Sequence, residues 1–107
     1  MNGAEQADDY EVAAMRIEDY DEVVALWKTC AGLGRIETRD ELARYLDRNP
    51  GLSQVARWRG CLVAAVLAGH DGRRGYLYHL AVAPRHRRQG VARRVVDQCL
   101  ELSLIHI

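Results

Sequence analysis

The sequence of 107 residues contains no phenylalanine, only two prolines and a single lysine, Lys28. It also lacks a long hydrophobic segment, because its longest apolar run, CLVAAVLAG, is well short of the roughly 20 residues that a membrane-spanning helix needs. The N-terminal stretch MNGAEQADDYE is acidic and polar, which excludes a signal peptide. We therefore expect a soluble cytoplasmic protein without a membrane partner.

Cysteine is scarce as well, and the three cysteines are too far apart for a metal-binding motif or a disulfide framework. We predict no metal site. Cys30, Cys61 and Cys99 are each expected to be small buried residues in a reducing compartment.

The formal net charge is zero, but the charges are unevenly distributed. Residues 1–56 carry 12 acidic and 6 basic side chains, a net charge of −6, whereas residues 57–107 carry 3 acidic and 9 basic side chains, a net charge of +6. An anionic ligand is therefore expected at the second half of the chain. The planar guanidinium of arginine suits phosphate, although a GC-rich genome would produce the same excess of arginine over lysine.

Hydrophobic periodicity predicts strands and helices in a definite order. A polar tail over residues 1–9 precedes a strand, YEVAAMRIE, which includes Ile17. DYDEVVALWKTCAGLG then has helical spacing, and the capping box TRDE begins a second helix at Thr38 that RNPG ends. LSQVARW and CLVAAVLAG are strands joined by a tight turn at Arg59-Gly60, and a second turn leads to the strand YLYHLAV.

A last helix is predicted from about His86 to about Glu101. Its apolar stripe consists of Val91, Val95, Val96, Cys99 and Leu100. The whole order is strand, helix, helix, three strands, helix. It predicts an α/β (α+β) domain with a mostly antiparallel sheet of four strands and helices on both faces.

The junction between the last strand and the last helix, AVAPRHRRQGVARR, is rich in arginine. The first turn of a helix exposes backbone N–H groups without internal partners, which together with the helix dipole form a site for anions. Gly90 has no Cβ and would let a phosphate approach the backbone, and Ala92 keeps the next position small. Arg87, Arg88 and Arg93 surround this opening with positive charge.

This junction resembles the pyrophosphate-binding motif of the GNAT superfamily of N-acetyltransferases, Arg/Gln-x-x-Gly-x-Gly/Ala, which here reads RRQGVA over residues 87–92. The resemblance covers roughly Ala13 to Glu101 and corresponds to the N-terminal two thirds of that fold, so its C-terminal strands would be missing. The last six residues, LSLIHI, match the translated end of a transposon used to prepare sequencing libraries. We therefore interpret residues 10–101 as part of one acetyltransferase domain and residues 102–107 as a non-native tail.

The resemblance implies transfer of an acetyl group from acetyl-CoA to a small-molecule or peptide amine, by direct attack of the amine. The backbone of residues 80–82 would pair with the pantetheine arm, and the amides of residues 88–93 would hold the pyrophosphate. The implied coenzyme-binding residues are Leu80, Ala81, Val82, Arg87, Arg88, Gln89, Gly90, Val91, Ala92 and Arg93. In this family a tyrosine beyond the third helix usually protonates the leaving thiolate, so an inactive acyl-CoA-binding fragment stays open as an alternative.

The two weak candidates for a catalytic residue are His79 and Tyr76. An imidazole titrates near neutral pH, whereas a phenol is a poor base, and both residues also fit purely structural roles. Strand alternation places Tyr76 and Tyr78 on the face opposite His79. Nucleic-acid binding by the arginine-rich helix is a remote alternative, because Gly90 and Ala92 weaken a recognition helix. The oligomeric state is left undetermined.

Overall fold

The computed structural model describes residues 9–30 and 32–106. The predicted polar tail lies outside the described residues except for Asp9, which is in a turn. The strands are β1 (Tyr10–Ala14), β2 (Gln54–Trp58), β3 (Cys61–His70) and β4 (Gly75–Val82). The helices are α1 (Tyr20–Lys28), α2 (Arg39–Arg48) and α3 (Val91–His106). The four strands form one antiparallel sheet, which confirms the predicted sheet of four strands, and their order in it is β1-β2-β3-β4.

The sheet separates two hydrophobic clusters. On one face, the side chains of Val91, Val95 and Cys99 in α3 pack against β2 and β3 and are almost completely buried. On the other face, Trp27 of α1 and Leu42 of α2 belong to a second cluster with residues of β3. The helices therefore cover both faces of the sheet. Among the described residues, no helix combines the length and the apolar character needed to cross a bilayer.

The N-terminal strand is shorter than predicted, because Ile17 begins a single 3-10 turn (Ile17–Asp19) instead of continuing β1. In that turn, the Asp19 carboxylate accepts hydrogen bonds from the Arg16 backbone N–H at 2.9 Å and from Arg57 Nη2 at 3.0 Å. These bonds tie the start of α1 to β2 and compete with further strand pairing.

The start of α2 confirms the predicted capping box. Thr38 Oγ1 accepts a hydrogen bond from the Glu41 N–H at 3.2 Å, and Glu41 Oε1 accepts one from the Thr38 N–H at 2.9 Å. Arg35 adds two bonds of 2.8 Å to the same carboxylate, and this pairing is the main reason that the pKa of Glu41 falls to about 2. The helix ends at Arg48, one residue before the Asn49-Pro50 pair.

A bulge interrupts β4. Tyr78 pairs with Leu67 and Ala81 pairs with Ala65, so two residues of β4, His79 and Leu80, stand opposite one residue of β3. His79 has a φ of 52°, in the left-handed region. The predicted alternation is therefore wrong at this point: the His79 ring contacts Trp27 of α1 while Tyr78 contacts Tyr45 of α2, so both face the same layer of helices.

The bounds of the last helix also differ from the prediction. A 3-10 turn (Pro84–His86) and a four-residue turn precede α3, which begins at Val91 instead of His86. It continues to His106 instead of ending at Glu101. Leu102 packs against the α3 cluster, the hydrophobic cluster that contains Val91, Val95 and Cys99. Leu100 was predicted in the apolar stripe but is 52% exposed. The non-native origin of residues 102–107 stays a prediction.

The cysteines are not all buried. Cys99 is buried in the α3 cluster, Cys30 is half-buried, and Cys61 is exposed at the start of β3. The hairpin turn before Cys61 is as predicted, with φ values of 51° at Arg59 and 84° at Gly60.

Candidate functional site

The loop between β4 and α3 presents unpaired backbone N–H groups. The helical hydrogen bonds of α3 begin with the Arg94 N–H, which donates to the carbonyl of Gly90, the residue before the helix, at 3.1 Å. The N–H groups of Val91, Ala92 and Arg93 precede it and have no intrahelical acceptor. They lie at the positive end of the dipole of a 16-residue helix, which favours a negatively charged ligand.

The loop reaches this position through two residues with positive φ, Arg88 at 65° and Gly90 at 82°. A Cβ added at Gly90 would meet no other atom within 4 Å. Glycine is therefore favoured here by the backbone conformation, and the space beside it is open. From the sequence, glycine was expected here only for the close approach of a ligand.

The arginines of the motif have different surroundings. Arg87 folds back on the strand, where its Nε donates to the Val82 carbonyl at 3.2 Å. Arg88 is exposed and has no ion pair or hydrogen bond with another described residue. Arg93 lies 3.8 Å from the Asp97 carboxylate. Arg88 is therefore the motif arginine whose charge is most available to a ligand.

The other residues of the motif contribute in different ways. Val91 is 1% exposed and packs in the core, so only its backbone faces the opening. Gln89 and Ala92 are half-buried. Arg94 lies outside the opening, because its Nη1 donates to the Tyr10 carbonyl at 3.0 Å.

An aromatic cluster that the sequence analysis missed supports the loop from below. Tyr10 Oη and His86 Nδ1 are 2.6 Å apart, and the His86 ring lies 5.1 Å from that of Trp58. Burial, and secondarily the charge of Arg85, lower the pKa of His86. Because these residues come from β1, β2 and the loop, no local pattern in the sequence signals their contact.

The outer edge of β4 has no neighbouring strand among the described residues. Ala81 and Val82 pair with Ala65 and Ala64 of β3, which leaves their other edge unpaired. Leu80 is 42% exposed beside them. The predicted pantetheine-binding residues therefore form one open strand edge that leads directly into the β4-α3 loop.

His79 is held by contacts to α1 and to the segment that precedes α2. Its Nε2 lies 2.9 Å from Glu37 Oε1, and its ring packs edge-on against that of Trp27 at 5.0 Å between centroids. Trp27 Nε1 donates to the His79 carbonyl at 2.9 Å. Glu37 is the partner that sequence reasoning missed, because 42 residues separate it from His79.

Tyr76 is engaged elsewhere. Its hydroxyl donates to Asp71 Oδ2 at 2.7 Å, and this bond is the main reason that the pKa of Tyr76 is raised. Its ring stacks on that of Tyr78, with centroids 6.0 Å apart. The Tyr76 hydroxyl is therefore already bound to Asp71, whereas the His79 ring lies against Glu37 and α1.

The chain is similar to known acetyltransferases. The model of the acetyltransferase (GNAT) family matches residues 17–104. The acetyltransferase SG1711 of Sodalis glossinidius is 34% identical over 96 residues, which cover 89% of this chain and 67% of that protein. The acetyltransferase plu1384 of Photorhabdus laumondii is also 34% identical, with 66% of its length covered. The chain thus spans about two thirds of the length of these curated relatives.

Among solved structures, Rv2747 from Mycobacterium tuberculosis, in complex with coenzyme A, superposes with a TM-score of 0.72. It is 21% identical, and the match covers 86% of this chain and 56% of that one. The order of strands and helices and the β4-α3 loop define an acetyltransferase fold. With the family match over most of its length, the chain belongs to the GNAT acetyltransferase family.

Proposed function

We propose that this protein is an N-acetyltransferase that transfers the acetyl group of acetyl-CoA to a primary amine by direct attack of the amine on the thioester. The observation that carries the proposal is the β4-α3 loop. Its positive φ values at Arg88 and Gly90 lead into a helix start with unpaired N–H groups and open space. This geometry suits a diphosphate, and related structures of this fold contain coenzyme A.

The open edge of β4 supports a position for the rest of the coenzyme. We propose that the backbone of Leu80, Ala81 and Val82 binds the pantetheine arm as an added strand would bind. An arm that runs from the loop along this edge ends near the bulge at His79. The thioester would therefore lie next to His79, whose imidazole is held by the Glu37 carboxylate.

In the reaction, the acceptor nitrogen forms a bond to the acetyl carbon, the carbon–sulfur bond breaks with its electron pair going to sulfur, and coenzyme A leaves as the thiolate. The nitrogen must also lose a proton. We propose that His79 accepts that proton. When Nε2 donates its hydrogen to Glu37, Nδ1 is left as the acceptor, and Glu37 stabilises the resulting imidazolium.

Calorimetric titration tests the coenzyme assignment. Coenzyme A and dephospho-CoA, which both contain the pyrophosphate, should bind within a few-fold of each other. Pantetheine, which lacks it, should bind roughly a hundred-fold more weakly, the equivalent of about 2.7 kcal/mol. Equal binding of pantetheine and coenzyme A would contradict the proposal.

An acetylation assay with a panel of amines then tests catalysis. His79→Gln and Glu37→Gln should lower the rate by roughly 10²- to 10⁴-fold, the usual contribution of a general base, with coenzyme binding unchanged. Asp40→Asn, a change of the same kind at an exposed position in the first turn of α2, is the matched control. Coenzyme binding without any transfer would support the alternative of an inactive coenzyme-binding protein.

A further inference from the structure

A groove lies on the helix side of β4, near the start of the strand. It ends in a cavity of about 290 Å³ whose lining includes Tyr45, Arg48, Gly69, Tyr76 and Tyr78. The Tyr78 ring contacts Tyr45 edge-on at 6.4 Å and stacks on Tyr76 at 6.0 Å. The proposed catalytic function does not use this cavity.

The floor of the cavity is fixed by contacts between α2 and β3. Asn49 Nδ2 donates to the Tyr45 carbonyl at 3.2 Å, and Asn49 Oδ1 accepts from the His70 N–H at 3.1 Å. Gly69 leaves room for this contact, because a Cβ there would lie 2.7 Å from Tyr45 Oη. The aromatic walls are therefore held in position before any ligand arrives.

The charge at this end of the groove is positive. Arg48 lines the cavity, and Arg44, one helical turn earlier, lines an adjoining depression with it. Neither arginine forms an ion pair with a described residue, and the nearby Glu41 carboxylate is bound to Arg35. Arg48 is thus an exposed guanidinium group at a cavity whose described lining residues include no carboxylate. The Asp71 carboxylate beside it already accepts hydrogen bonds from the Tyr76 hydroxyl and from the N–H groups of Arg73 and Arg74.

The spacing relates this cavity to the proposed reaction centre. Tyr76 and His79 are three residues apart in β4, a separation of about 10 Å along a strand. An amine placed at His79 would therefore have its middle against the tyrosine rings and its far end at Arg48.

We propose that this groove selects an acceptor amine with an aromatic or apolar middle and an anionic group, such as a carboxylate, at the far end, and that Arg48 is the specificity-determining residue that binds this anion. The proposal rests on the proposed acetyltransferase function for the position of the amine. Arginine presents parallel donors that match a carboxylate, and such charge-assisted bonds are stronger than neutral ones.

Three amines that differ only at the far end test the proposal: 4-(aminomethyl)phenylacetate, 4-methylbenzylamine and 1,4-bis(aminomethyl)benzene. Binding to the protein is measured by calorimetry without coenzyme. The anionic amine should bind roughly ten- to a hundred-fold more tightly than the neutral one, and the dicationic amine should bind most weakly. Equal binding of the three amines, or binding of none, would overturn the proposal.

Variants distinguish a direct contact between Arg48 and the anionic group from a general effect of positive charge on α2. Arg48→Gln should remove the preference for the anionic amine, and Arg48→Lys should keep part of it. Arg39→Gln removes the same charge from the same helix at an exposed residue outside the cavity, and should keep the preference. Loss of the preference in Arg39→Gln as large as in Arg48→Gln would contradict the assignment.

The same amines, tested as acetyl acceptors, distinguish this inference from the proposed function. Acetylation of all three with equal kcat/KM would overturn the inference and leave the acetyltransferase proposal intact. An intact preference for the anionic amine in a protein that binds no coenzyme would contradict the acetyltransferase proposal and leave the inference about the groove intact.

Discussion

Substitution of Gly90 by valine is the sharpest test of the coenzyme-binding loop. Gly90 has a φ of 82°, and a side chain at this position would project into open space. Gly72, in the turn between β3 and β4, has a φ of 86° and equally open surroundings. Gly72→Val is therefore a matched control that imposes the same backbone strain far from the β4-α3 loop.

The structure sets the magnitudes. A residue with a Cβ in the left-handed region costs roughly 1–2 kcal/mol, so both variants should lose about the same stability. Only Gly90→Val places methyl groups where the pyrophosphate is proposed to bind. Loss of one charge-assisted bond, worth about 1.5–3 kcal/mol, corresponds to roughly 10- to 150-fold weaker coenzyme A binding.

Thermal unfolding compares the stability of the two variants, and calorimetric titration with coenzyme A compares their affinity. We expect similar melting temperatures for both and weaker binding for Gly90→Val alone. If Gly90→Val binds coenzyme A as tightly as Gly72→Val does, the N–H groups at the start of α3 do not hold the pyrophosphate, and the reasoning is refuted.

Three further predictions concern stability. The pKa of His86 is lowered from 6.5 by burial and by the charge of Arg85, so neutral His86 stabilises the fold fully above about pH 6.5, and this stabilisation is lost as the pH falls through the folded-state pKa. Urea unfolding from pH 8 to pH 5 should show the loss of stability, and His86→Gln should remove this pH dependence. Thr38→Ala should lower the free energy of unfolding by about 1 kcal/mol, and an unchanged urea midpoint would contradict the capping role. Gly69→Ala should cost roughly 1–3 kcal/mol in the same assay, because the new methyl group would overlap Tyr45 Oη; a neutral result would mean that α2 moves freely against β3.

The features predicted correctly from sequence are those that neighbouring residues determine. The capping box at Thr38 needs only Glu41, three residues later, and the hairpin at Arg59-Gly60 needs only two residues that adopt positive φ. The α3 core positions follow from helical period, and Val91, Val95 and Cys99 are all buried. Local rules fix these elements because their partners lie within a few positions in the chain.

The features that were missed depend on partners far along the chain. The start of α3 was placed at His86, but His86 is drawn into contact with Tyr10 and Trp58, and the helix begins only at Val91. The contact between His79 and Glu37 likewise joins β4 to the segment before α2. Neither contact has a signature in a single sequence, since periodicity reports burial but not which residues meet.

The bulge in β4 connects the two proposed halves of the site. In a regular strand, residues 78 and 81 would face opposite sides, yet Tyr78 contacts α2 and Ala81 belongs to the same helix-side cluster. The extra residue shifts the phase, so that β4 presents Tyr78 to the helices before the bulge and Ala81 to the same helices after it. His79 lies in the bulge, where its backbone has a left-handed φ and its ring contacts Glu37. An acceptor held by the first half of β4 and a thioester held by the second half would therefore meet beside this imidazole.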